Sequence, residues 1–157
     1  MNLTFLVPGK AREDFLVSGY HEYLKRLSGY VKTDLVFLPE EKTGRGNAAE
    51  IAKALDKEAD RVLSRLREKD LLVLLDIHAP EIDSQGLADS LSSLSSKRSN
   101  IVFCLGSSHG LSDRLRKRAD FSFSLSKMTF THYLALLLLL EQVYRAMKML
   151  AGETYDK

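Results

Sequence analysis

Cysteine is almost absent from the sequence. Cys104 is the only cysteine among 157 residues, which excludes an intramolecular disulfide. A single cysteine favours a reducing compartment, so we expect the protein to be cytoplasmic. Cys104 also lies inside the apolar run IVFCL, residues 101–105, which indicates a buried hydrophobic side chain rather than a nucleophile.

Long hydrophobic runs are absent as well. The densest apolar stretch covers residues 133–140, well short of the about 20 residues needed to span a bilayer. The first residues, MNLTFLVPGK, have neither the basic region nor the apolar region of a signal peptide. We therefore expect no membrane association, and we interpret residues 133–140 as part of a core or interface helix.

Basic and acidic residues are present in nearly equal numbers, and the net charge is +2. Composition alone therefore indicates no polyanionic partner. The distribution is less even, because Arg114, Arg116, Lys117 and Arg118 follow a glycine-containing loop. Such a cluster beside a pocket suits an acidic partner, although most such runs form only the solvated face of a helix.

Short apolar runs alternate with amphipathic segments along the whole chain. The predicted strands cover residues 3–7, 31–38, 71–77, 101–105 and 121–125. The predicted helices cover residues 13–27, 48–67, a segment through 96 capped by Asp83 or Ser84, 111–119, and 128 onward. The second helix is expected to bury a stripe of Ile51, Leu55, Val62 and Leu66. This alternation favours one α/β domain, residues 1–157, with a mostly parallel sheet between helical layers.

Three predicted strand ends are candidates for a binding site, because ligands of open parallel sheets lie beyond the carboxyl ends of the strands. They are residues 75–77, 105–107 and 125–127. The loop LGSSHG lacks the GxGxxG spacing, and no Walker Lys-Ser/Thr pair follows a glycine-rich loop, so NAD or ATP chemistry has little support. Gly106 would let a ligand approach the backbone closely, and a simple strand-to-helix turn remains open as the alternative.

Two of the four histidines lie at these loops. His109 and His132 are therefore the candidates for a chemical role, although a lone histidine is more often structural. His21 and His78 have no partner at metal-ligand spacing, and we predict no metal site.

The last part of the chain carries a family resemblance. Residues 121–157, FSFSLSKMTFTHYLALLLLLEQVYRAMKMLAGETYDK, closely resemble the carboxyl-terminal signature of the ribosomal RNA large subunit methyltransferase H family. These are small members of the SPOUT methyltransferase class. Earlier parts of the chain also occur in the order typical of the family: LVPGK, EYLKRL, NAAEIAKALDKEADRVL and LGSSHGLS. The resemblance therefore covers the whole chain.

The resemblance implies a homodimer that transfers a methyl group from S-adenosyl-L-methionine to N3 of a pseudouridine in large-subunit (23S) ribosomal RNA. The partner would be the RNA or the assembled ribosome, and the fold would contain a carboxyl-terminal trefoil knot. The implied cofactor-binding residues are Leu75, Gly106, Leu125, Ser126, Lys127, Met128, Thr129 and Phe130. The implied catalytic residues are His132, Tyr155 and Lys157. Chemically, adenine needs an apolar slot, which Leu75, Leu125, Met128 and Phe130 can line.

Four positions depart from the family pattern. Ser107 replaces a glycine, Thr131 a proline and Leu136 an arginine, and Asp156 stands where the family has histidine. Three explanations remain open. Other cations compensate, namely Lys127, Arg145, Lys157 and the cluster from Arg114 to Arg118; the RNA target differs; or the protein binds the cofactor without catalysis. A rival from another class is a non-enzymatic α/β module that binds a nucleotide at the glycine loop.

The final helix also predicts dimerisation. Its apolar residues lie nearly all round the helix, more than one side of a small domain can cover. The residues concerned are Leu134, Leu136 to Leu140, Val143 and Met147. Full burial within one subunit is the alternative.

Overall fold

The computed structural model describes residues 1–43 and 46–155. Its strands are β1 (Asn2–Pro8), β2 (Lys32–Leu38), β3 (Leu71–Leu75), β4 (Asn100–Leu105) and β5 (Phe121–Phe123). They form one sheet in the order β2-β1-β4-β3-β5, and every neighbouring pair is parallel. The helices are α1 (Asp14–Leu27), α2 (Ala48–Arg65), α3 (Ser84–Lys97), α4 (Asp113–Arg118) and α5 (His132–Leu150). The predicted α/β class with a parallel sheet between helical layers is confirmed.

The two faces of the sheet bury different helices, because successive strand side chains point to opposite sides. Phe5 of β1 and Phe103 of β4 stack at 5.1 Å under α1, α3 and α5. Their neighbours Leu6 and Cys104 face α2 and α4. Burial raises the pKa of Cys104 to about 12, with a smaller contribution from Glu58, so the thiol stays protonated as predicted for a buried hydrophobic side chain.

The buried stripe of α2 differs from the predicted one. Of the residues expected there only Val62 is buried, whereas Ile51, Leu55 and Leu66 are half-buried. The buried positions are Ala54, Glu58, Ala59 and Val62. Ala59 and Val62 pack in the core on this side of the sheet. Glu58 can be buried because its carboxylate accepts hydrogen bonds from two loops.

The start of α5 also differs from the prediction of a helix from Met128 onward. The helix begins at His132, because the side chain of Thr131 caps it by accepting from the Leu134 N–H. Residues 124–131 are therefore a loop, which we call the cleft segment. This places the exposed Met128 and Phe130 outside regular structure.

Smaller differences affect three other boundaries. The strand β3 ends at Leu75 rather than 77, because Asp76 begins a turn in which the Ala79 N–H donates to its carbonyl. The strand β5 ends at Phe123 rather than 125, and α4 is shorter than residues 111–119 because Ser112 caps it. Thr131 and Ser107, the two substitutions in the cleft loops, both adopt ordinary backbone angles, since the described residues include no positive φ outside glycine.

Candidate functional site

A cleft of about 520 Å³ lies beyond the carboxyl ends of β3, β4 and β5. This is the position at which open parallel sheets bind ligands. The cleft brings together most of the residues that the sequence singled out. Seven of the eight predicted cofactor residues line it: Leu75, Gly106, Leu125, Ser126, Met128, Thr129 and Phe130.

The remaining predicted residues have different positions. His132 lines the cleft, and Lys127 is exposed next to it without forming part of its lining. Tyr155 lies elsewhere, against the far half of α5. Lys157 and Asp156 lie outside the described residues.

Residues 106–110, the glycine loop, form one wall of the cleft. The Ser107 N–H donates to the Gly110 carbonyl at 3.2 Å, and the Gly110 N–H donates back to the Ser107 carbonyl at 3.0 Å. Gly110 has a φ of 97°, which favours glycine. A Cβ on Gly106 would lie 2.7 Å from the Gly110 oxygen, so the loop needs a glycine at this position.

The cleft segment forms the opposite wall and is braced by its own serines. The Ser124 hydroxyl donates to the Ser126 carbonyl at 2.9 Å, and the Ser126 hydroxyl accepts from the Met128 N–H at 3.0 Å. Met128 is 75% exposed and Phe130 is 40% exposed. Apolar side chains held in solvent by a braced loop provide a surface for an apolar part of a ligand.

His132 is held on the cleft wall by the last residue of β1. Its Nε2 lies 3.0 Å from the Pro8 carbonyl oxygen. A carbonyl can only accept, so Nε2 carries the hydrogen, and Nδ1 of the neutral ring is an acceptor.

An ion pair that the sequence analysis missed lies in the lining of the cleft. Asp76 is buried, and its carboxylate accepts from Arg116 Nε at 2.8 Å and from the His78 N–H at 3.1 Å. Burial acts to raise the pKa of Asp76, but the Arg116 guanidinium and the His78 N–H outweigh burial and hold the pKa below its ordinary value. The signal in the sequence was a carboxylate immediately after an apolar strand.

The basic cluster of α4 is largely neutralised within the protein. Arg114, Arg116 and Arg118 each form ion pairs, and Lys117 is exposed. The partners are Asp56 and Asp60 for Arg114, Asp76 and Asp113 for Arg116, and Asp120 for Arg118. This pairing favours the solvated helix face over a surface for a polyanion.

Tyr155 is anchored far from the cleft of its own chain. Its ring lies 5.3 Å from the Tyr144 ring, and the Arg145 guanidinium lies 4.2 Å over it. At 1.5 Å per residue, Tyr144 is roughly 18 Å from His132 along α5. Burial and the nearby Glu141 raise the pKa of Tyr155, so its phenol is protonated at neutral pH.

The described residues contain no group of three His, Cys, Asp or Glu side chains that could hold a metal ion. Within the same residues, no helix combines the length and the apolar character that a membrane span requires.

The chain is similar to known proteins over its whole described length. A family model described as "Predicted SPOUT methyltransferase" matches residues 1–156. Two ribosomal RNA large subunit methyltransferase H proteins are similar over the full length of both chains: that of Acetivibrio thermocellus is 40% identical and that of Alkaliphilus oremlandii 39%. A relative from Methanococcus vannielii is 41% identical, again over both full chains.

A solved structure shares the fold. The tRNA (m1G37) methyltransferase of Aquifex aeolicus superimposes with a TM-score of 0.52 and 16% identity, over 100% of this chain and 75% of the other. The fold is thus that of a SPOUT methyltransferase. The chain belongs to that class and, within it, to the ribosomal RNA large subunit methyltransferase H family.

Proposed function

We propose that the protein binds S-adenosyl-L-methionine in the cleft and methylates N3 of a pseudouridine in large-subunit (23S) ribosomal RNA. One observation carries the proposal: residues far apart in sequence, from Leu75 through Gly106 to Phe130, line a single cleft at three adjacent strand ends. Family membership supplies the RNA substrate class.

The residues of the cleft fit this cofactor. A volume of about 520 Å³ falls within the range of small-molecule sites. Leu75, Leu125 and Met128 offer apolar surface for adenine. Gly106 has no side chain, so a ligand in the cleft can contact its backbone directly. The bound cofactor would supply an activated methyl group, so the task of the protein is to position the acceptor nitrogen in line with it.

His132 is the candidate for accepting the proton from pseudouridine N3. Its Nε2–H is used by the Pro8 carbonyl, which leaves Nδ1 as the free acceptor on a ring that lines the cleft. A positioned imidazole is the most common general base. A protonated Tyr155 would act as a hydrogen-bond donor, and Lys157 remains a predicted catalytic residue.

Tyr155 can act only if a second copy of the chain supplies it. Its anchor on Tyr144 and Arg145 lies roughly 18 Å along α5 from His132, so it does not reach the cleft of its own protomer. We therefore propose a homodimer whose two clefts are completed by the partner. We also expect the trefoil knot that is typical of the class in the carboxyl-terminal part of the chain.

Most of the α5 residues from which the dimer was predicted are buried within one protomer, and Leu134 is the exposed one among them. A surface for a partner therefore has to be sought around Leu134. Gly19 of α1 faces Leu137 of α5, and Phe15 and Leu134 lie about one turn before these residues on each helix. Phe15 is 69% exposed and Leu134 is 36% exposed. Replacing Phe15 with Glu should therefore raise the dimer dissociation constant by at least tenfold in sedimentation, whereas a wild-type monomer at micromolar concentration would contradict the dimer.

The function is tested by two measurements, one on the purified protein and one on cellular RNA. Isothermal titration should show binding of S-adenosyl-L-methionine. Mass mapping should show that ribosomal RNA from cells without the gene lacks one methylated pseudouridine that is present in cells with the gene. Binding without any change in the RNA would indicate a divergent relative with another target or no activity. Binding of a nucleotide but not of S-adenosyl-L-methionine would favour the non-enzymatic module.

A further inference from the structure

Glu58 of α2 carries a carboxylate that the site described so far does not use. The residue is 7% exposed. Its Oε1 accepts from the Ser107 hydroxyl at 2.7 Å, and its Oε2 accepts from the Glu41 N–H at 3.2 Å. A buried carboxylate is costly unless its oxygens are paired, so these two bonds explain why it is tolerated.

The first bond braces the glycine loop. The Ser107 hydroxyl that donates to Glu58 also accepts from the His109 N–H at 3.2 Å. The bond to Glu58 holds the side chain of Ser107, and the backbone bonds to Gly110 hold its main chain. Ser107 directly follows Gly106, so both sets of bonds constrain the glycine loop.

The second bond ties the loop after β2 to the same carboxylate. Other contacts also join this loop to the glycine loop. Among them, the Ser108 hydroxyl donates to Glu40 at 3.1 Å, and His109 Nε2 lies 3.2 Å from the Glu41 carbonyl. Glu58 therefore contacts both sides of this junction. Removal of its charge therefore affects both loops at once.

We infer that Glu58 is a positioning residue that holds the glycine loop in the shape that binds the cofactor. The inference rests on the proposed function, because the ligand at Gly106 is S-adenosyl-L-methionine. A carboxylate accepts from both donors together, whereas an amide of the same shape accepts with one oxygen only and presents an N–H₂ group to the other donor. Glu58→Gln should therefore disturb the loop without leaving a hole.

The test is a double-mutant cycle in the full-length protein, read by titration with S-adenosyl-L-methionine. Glu58→Gln and Ser107→Ala should each weaken binding about tenfold, as expected when a buried hydrogen bond to a charged group is lost. The double variant should bind no more than about twofold more weakly than Glu58→Gln, because both changes remove one interaction. The exposed Glu50 lies on the same helix, so Glu50→Gln is the matched control and should bind as the wild type does.

A second readout separates positioning from general stability. In Glu58→Gln the KM for S-adenosyl-L-methionine should rise about tenfold while the KM for the RNA stays within twofold; a loss of folded protein would instead lower the amount of active enzyme. Equal affinity of the wild type and Glu58→Gln would overturn the inference, and if that variant does not fold, Ser107→Ala decides in the same way. A wild type that does not bind the cofactor would contradict the proposed function instead.

Discussion

The two ends of the parallel sheet use their side chains differently. At the amino end, Asp70 accepts from the Arg67 N–H at 2.9 Å and from Asn100 Nδ2 at 3.3 Å, and Asp120 accepts from the Leu72 N–H at 2.8 Å. At the carboxyl end, the cleft segment leaves Met128 75% exposed. The amino end pairs its polar groups within the fold, and the carboxyl end keeps apolar surface exposed for a ligand. We therefore expect substitutions at the amino end to lower stability and substitutions at the carboxyl end to weaken ligand binding.

The largest expected effect comes from Gly106→Ala at the carboxyl end. The new Cβ would lie 2.7 Å from the Gly110 oxygen, so the glycine loop must shift. Overpacking of this kind costs about 1–3 kcal/mol, which corresponds to a loss of up to about 100-fold in affinity for S-adenosyl-L-methionine by titration. A Cβ on the exposed Gly29 meets only the Arg26 oxygen, at 3.6 Å, so Gly29→Ala is the control. Unchanged affinity in Gly106→Ala would show that the glycine loop is not part of the site.

The next effect is on stability, at the amino end. Asp70→Ala removes a buried acceptor from the Arg67 N–H and from Asn100. The free energy of unfolding in urea should fall by about 2 kcal/mol, because these donors are left without a partner. Affinity for the cofactor should stay within about twofold of the wild type. A loss of affinity as large as that in Gly106→Ala would contradict the separation of the two ends.

Asp76 lies at the carboxyl end of the sheet but is paired within the protein, so it should affect stability, and its effect should depend on pH. The Arg116 ion pair lowers the folded-state pKa of Asp76 below 3.8, the value expected in the unfolded chain. Its stabilisation is therefore complete above pH 3.8 and is lost as the pH falls through the lower folded-state pKa. Asp76→Asn should lower the free energy of unfolding by about 2 kcal/mol at pH 7. The difference from the wild type should shrink below pH 3.8, and a difference that is constant at all pH values would argue against the charged pair.

The smallest effect is expected for Arg114→Gln. Arg114 is already paired with Asp56 and Asp60, so its loss should change affinity for a ribosomal RNA fragment by less than about twofold. The exposed Lys127 beside the cleft is the matched comparison. Lys127→Gln should weaken RNA binding several-fold and reduce the salt dependence by about one phosphate contact. A larger loss of RNA affinity in Arg114→Gln than in Lys127→Gln would indicate that the RNA binds at α4.

The sequence predicted the strand ends and their loops because the relevant signals are local. The apolar run before Gly106 and the small polar residues after it define a strand and a close turn without any knowledge of the fold. Parallel pairing then brings Leu75, Gly106 and Leu125 together. The family resemblance named the same residues, and their assembly in one cleft is consistent with it.

Other features depend on tertiary contacts that no local pattern contains. Helical periodicity treats Glu58 as a polar surface residue, and only the docking of two loops on α2 explains its burial. The start of α5 was predicted too early because Met128 and Phe130 are apolar, whereas Thr131 provides the cap. Leu136, the departure from the family arginine, is fully buried, so in this fold the position offers no surface for RNA.

We expect the glycine loop and the cleft segment to close around one molecule of S-adenosyl-L-methionine. A crystal of the protein grown with this ligand tests the expectation most directly. Electron density for the ligand should lie between Gly106 and Met128, with adenine against Leu75 and Leu125. Density for the ligand at any other surface, or a cleft filled by the protein's own side chains, would contradict it.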